Sequence, residues 1–193
     1  MRANSWLTVI GLLLMVSLPA QAHTGIGTVH GLADGLLHPL IGIDHLLVML
    51  TIGLWAAMRG GRALWLLPMT FLMAMGTGAG LQMIGYALTN AETWVALSVL
   101  AMGLLVWRDA KMSSAMAVAL TFVFALGHGY VHAAELTIDA DRTAYLSGFL
   151  LTTALLHGLG VAVGLAGAAR VKMIRTGWGG LCAIVGVSLL LVG

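Results

Sequence analysis

Beyond residue 22 the chain is a series of six apolar stretches, 35–58, 63–88, 93–107, 113–136, 144–169 and 177–192, joined by connections too short to fold separately. Most approach the ~20 residues that an α-helix needs to cross the hydrocarbon core of a bilayer, the third being the shortest. In lipid every backbone N–H and C=O must be satisfied within the protein, so such stretches fold as helices. A mean hydropathy of +1.01, with only nine Lys and Arg and seven Asp and Glu in 193 residues, leaves no room for a soluble reading. The expected fold is an all-α membrane protein, one bundle of six transmembrane helices spanning 23–193 after a cleavable signal peptide at 1–22.

The signal peptide is read from Arg2, the apolar run 6–16 and the small-x-small site Ala20-Gln21-Ala22. Cleavage there makes His23 the mature N-terminus, outside the cytoplasm, where its amine and imidazole together would chelate a metal. The cations give an independent orientation. Arg59 and Arg62 follow the first stretch, Arg108 and Lys111 the third, and Arg170, Lys172 and Arg175 the fifth, against only Arg142 in the alternate connections. Such a bias places those three connections in the cytoplasm. The expected location is the bacterial inner membrane, with both mature termini on the outer side. Orientation accounts for the net charge of +2, so no nucleic-acid partner is expected.

Ionisable groups inside apolar stretches are costly and mark pathways or bound ions. Two runs concentrate them: HPLIGIDH (38–45) and GHGYVHAAE (127–135). His128 and His132 are four apart and Glu135 three further on, which puts all three on one face of a helix. His38 and His45 are seven apart, again one face of a continuous helix, with Pro39 just inside its expected start and Asp44 beside His45. Asp44 either binds an ion directly or holds the second ring nitrogen of a ligand histidine. His157 lies mid-stretch and reads as a core histidine or a third wall of the site; His30 and Asp34, at steps of four before His38, are entry candidates in a Gly-rich segment that is either loop or half-helix.

Cys182 is the only cysteine, so thiolate clusters are excluded and any metal must be held by nitrogen and oxygen. That donor set suits Ni²⁺, Co²⁺, Cu²⁺ or Zn²⁺. The 12 methionines are scattered among leucines and read as core filling. The glycine runs 76–80 and 158–167, the latter with Gly160 and Gly164 in a GxxxG, read as close helix packing.

At these residues the chain resembles the HupE/UreJ family, membrane accessory proteins of hydrogenase and urease operons regarded as nickel permeases. The resemblance covers essentially the whole mature chain. It rests on the histidine after the signal sequence, HPLIGIDHLLVMLTIGLWA, the histidine-glycine run ending in Glu135, and GFLLTTALLHGLG. It implies a non-enzymatic six-helix permease moving Ni²⁺ inward, with His38, Asp44 and His45 matching one motif and His128, His132 and Glu135 the other. Implied partners are the metal ion as substrate, membrane lipid, and metallochaperones of hydrogenase or urease maturation. In one departure, the family's run often reads HGHAHGxE, and here its middle histidine is Tyr130 and the following glycine Ala133. This removes a nitrogen from the expected site, so the expectation is a divalent transition metal, with nickel first.

No Walker A sequence is present, so no nucleotide cofactor is expected; an inside-negative potential favours inward flux by about 2.3 kcal/mol per charge per 100 mV. Ligand histidines must be deprotonated, so uptake is expected to fall below about pH 6. Rival readings are a haem-binding electron carrier, betrayed by visible absorption; a metal-dependent intramembrane hydrolase with Asp44 as base, which requires an open water position; and a metal sensor or chaperone partner that binds without transport.

Overall fold

The computed structural model describes residues 31–136 and 140–192. The expected signal peptide, His23 and His30 lie outside these residues. Seven α-helices are described: α1 (Leu32–Ile41), α2 (Ile43–Arg59), α3 (Ala63–Met83), α4 (Ala91–Trp107), α5 (Ser114–Ala134), α6 (Arg142–Ala166) and α7 (Val171–Val192), with a 3₁₀ turn at Ala168–Arg170. Four of them, α3, α5, α6 and α7, are long and apolar enough to cross a membrane, and α1 with α2 makes a fifth span if the bent pair is counted as one. The apolar helix α4 is shorter, at 17 residues. By length and composition this is a multi-pass membrane protein.

The first apolar stretch is therefore not one continuous helix. It breaks at Gly42 with a bend of 82°. Pro39 is not near a helix start but inside α1, where it cannot donate to the carbonyl of Gly35 and weakens the last turn. A Cβ at residue 42 would sit 2.7 Å from His45 Nδ1 and 3.0 Å from Asp44 Oδ1, so glycine is required there because the Asp44–His45 pair folds back over the break. Thr152 Oγ1 donates to the Leu36 carbonyl at 2.9 Å, which ties the half-helix α1 to α6.

The other boundaries follow from caps. Ser113 accepts from the Met116 N–H at 3.2 Å and starts α5; Asp141 accepts from the Ala144 N–H at 3.0 Å and starts α6. The last helix begins at Val171, earlier than the apolar stretch 177–192, and takes Lys172 and Arg175 into its first turns. Long cationic side chains allow this because their heads reach out of the apolar zone: Arg175 donates to the Trp107 carbonyl at 2.9 Å, and Arg59 to the Met112 carbonyl at 3.0 Å. These bonds gather the cationic connections at one end of the bundle.

The principal helix pairs are α3 with α5, α4 with α7, and α2 with α6, α1 lying across α6. Without a hydrophobic force between helices in lipid, close approach depends on small residues. A Cβ on Gly78 would collide with the Leu126 carbonyl, one on Gly160 with the Leu50 carbonyl, and one on Gly164 with Ala57. Gly76, Gly80 and Gly158 face open space, so only part of each glycine run serves packing. Helix α2 is the centre of the bundle: Leu47, Val48, Met49, Ile52, Leu54, Trp55 and Ala56 are all buried. Met49, Met75 and Met102 belong to this core.

Candidate metal centre

Helices α2 and α5 carry the three buried imidazoles that come together. On α5 the spacing of four sets His128 and His132 one above the other, and α2 brings His45 against both. The ring centroids of His45 lie 4.2 Å from His132 and 4.9 Å from His128. The three rings are 0–1% exposed. One ring nitrogen from each falls within 4.8 Å of the others. Imidazole nitrogens gathered in this way are a donor set of the kind that borderline divalent cations take.

A second group overlaps the first. His38, on the far side of the break, has its ring 4.6 Å from that of His132; Glu135 Oε2 is 3.4 Å from His38 Nε2 and 3.6 Å from His132 Nδ1. His38, His132 and Glu135 also offer ligand atoms within 4.8 Å of one another. His38 and His45 thus do meet, at 6.1 Å between centroids. They do so because the chain bends between them, not because they share a helix face.

Neighbouring groups orient the rings. Asp44 Oδ1 accepts the His45 backbone N–H at 2.8 Å and lies 2.7 Å from His45 Nδ1, which draws the ring proton to Nδ1 and presents Nε2 to the cluster. Ser98 on α4 has a single proton and donates it to the Val95 carbonyl at 2.6 Å. Its oxygen, 2.8 Å from His128 Nε2, therefore accepts from that nitrogen, and His128 carries its lone pair on Nδ1. Asp44 belongs to neither three-ligand group, so of the two roles its position in sequence allows, the geometry matches ring orientation. Phe149 walls the site, its centroid 4.1 Å from His132.

His157 lies outside both groups; its Nδ1 is 2.8 Å from the Met49 carbonyl. Asp34 is on α1 and joins neither group. Tyr130 is not in the site: its hydroxyl donates to the Tyr86 carbonyl at 2.9 Å and accepts the Leu88 N–H at 3.2 Å, fastening the connection between α3 and α4. Being two residues from both His128 and His132, it projects from the other side of α5, so a histidine missing at this position takes no nitrogen from the cluster. Ser98 was not legible as a site residue. Its signal was a single hydroxyl within the apolar run 94–107.

Apolar helices packed around a cluster of buried imidazoles define a multi-pass membrane protein with a polar centre. The chain belongs to the HupE/UreJ family: the family model described as HupE / UreJ protein matches residues 11–189. It is 39% identical over 185 residues to "Protein HupE" of Rhizobium leguminosarum bv. viciae, covering 92% of this chain and 94% of that protein. No solved structure matches.

Proposed function

We propose that the protein is a permease that carries a divalent transition-metal ion, nickel first among the candidates, across the bacterial inner membrane. The observation that carries this reading is the closure of His45, His128 and His132 on one point at 0–1% exposure, an arrangement whose burial cost a bound cation repays. Family membership supports it. His38, His132 and Glu135 receive the ion, His45, His128 and His132 hold it dehydrated, and Asp44 and Ser98 keep the rings in their ligating tautomers. His23, as the first residue after cleavage of 1–22, adds an external chelate. The bent α1–α2 pair and the short α4 count as spans, which makes six passes, with both mature termini outside and the cationic connections in the cytoplasm. The protein is an accessory permease, not an enzyme, and hands its cargo to metallochaperones.

The ring-to-ring packing of the three histidines favours a naked ion over haem, since it leaves no slot for a planar macrocycle. The deciding experiment is uptake of radioactive nickel, cobalt and zinc by cells producing the wild type, His45→Ala and His132→Ala at matched membrane levels. Loss of nickel uptake in both variants is the expected result; unchanged uptake in both overturns the reading.

A further inference from the structure

We propose that His157 is a separate, second station for the transported cation, reached from the three-histidine group past the ring of Phe71. This deepens the permease reading and rests on it.

A backbone carbonyl can only accept, so the 2.8 Å contact between His157 Nδ1 and the Met49 carbonyl fixes the ring proton on Nδ1. Nε2 is then a bare lone pair. It is fully buried and has no hydrogen-bond partner among the described residues. A histidine that merely anchored α6 to α2 would need one nitrogen and gain nothing from an unsatisfied second, which is costly in an apolar interior. A ring whose one nitrogen is pinned by a carbonyl while the other is bare is the arrangement of a metal-ligating histidine.

Its place in the bundle fits a hand-on position. Met49 is one helical turn past His45 on α2, so His157 lies on the side of the three-histidine group away from His38 and Glu135, toward the cationic end. Phe71, 0% exposed, has its centroid 5.7 Å from the His128 ring and 4.9 Å, edge-on, from the His157 ring. It is the side chain an ion leaving His128 meets before His157. A second polar group on this side is also unsatisfied. Thr121 precedes His128 by seven residues and shares its face of α5; its buried hydroxyl has no partner among the described residues. By contrast, Thr51 and Thr153 bond back to the carbonyl four residues earlier. A single imidazole with water completing the shell binds a borderline divalent cation weakly, which suits release rather than storage.

The test uses purified full-length protein, with nickel binding measured by calorimetry and nickel flux measured in vesicles loaded with a metal-responsive dye. His157→Gln keeps an N–H for the Met49 carbonyl, and His157→Leu removes both nitrogens. The expected result is nickel affinity within about twofold of wild type and maximal flux lower by at least about tenfold in both variants. Flux equal to wild type in His157→Leu overturns the proposal. So does a parallel fall of flux and affinity, which would make His157 a support of the first site, or a flux loss that only tracks lost folded protein in both variants. Absence of saturable nickel binding in the wild type would instead strike the permease reading itself.

Discussion

At His45, His128 and His132 the side chains are 0–1% exposed, whereas His38 and Glu135, which share His132 with them, retain 22% and 18%. The sealed group consists of three imidazoles; the open one replaces two of them with a partly exposed imidazole and a carboxylate. Orienting partners differ as well, for Asp44 and Ser98 act on rings of the sealed group. In the proposed permease an ion at the open group would keep part of its hydration shell. At the sealed group it would shed water, and the gathered imidazoles would replace that water. His132 is common to both groups, so in the proposed permease it would be the ligand through which an ion passes from the open group to the sealed one.

His132→Ala removes a ligand from both groups and is expected to have the largest effect, more than about 100-fold on nickel affinity and uptake to background; calorimetry and radioactive uptake check it, and a loss confined to one of the two measurements would break the shared-ligand comparison. Ser98→Ala touches no ion, yet it releases the His128 tautomer. A fall in affinity of about 10-fold to 100-fold is expected, with Ser98→Thr restoring it; an unchanged binding isotherm in Ser98→Ala would mean that ring orientation in the sealed group does not depend on this bond. Glu135→Gln takes the charge from the open group only. Uptake at low nickel is expected to fall about tenfold while maximal uptake is retained, so a drop in the maximum would show that the open group is more than an entrance. Tyr130→Phe should leave metal preference unchanged and cost about 1 kcal/mol of stability through the lost bonds to Tyr86 and Leu88. Competition uptake and a melting curve test this, and a changed preference would return Tyr130 to the site.

Much of the site was legible because its parts are local. The spacing of His128, His132 and Glu135 in a helix dictates one face at about 3.6 residues per turn, and the rows of apolar residues dictated where helices run. The rest depended on contacts between helices distant in sequence. Gly42 reads as one more glycine among 26, and only the fold of Asp44 and His45 over it shows why the chain breaks there. Tyr130 sits between His128 and His132 in sequence and bonds away from them in space, to Tyr86 and Leu88. Ser98 and Phe71 acquire their roles only when α4 and α3 bring them against His128.

The sequence by itself determined that this chain folds as apolar helices, that thiolate clusters are excluded, and that α5 carries His128 and His132 on one face, because hydropathy, residue chemistry and helical period are properties of short segments. The tertiary structure alone decided that His38 and His45 meet across an 82° bend, that His132 is common to two groups, and that His157 stands apart from both. The physical reason is that partners across helices are chosen by where small residues let backbones approach, at Gly78 against α5 and at Gly160 and Gly164 against α2, and no single helix encodes its neighbour's rotation.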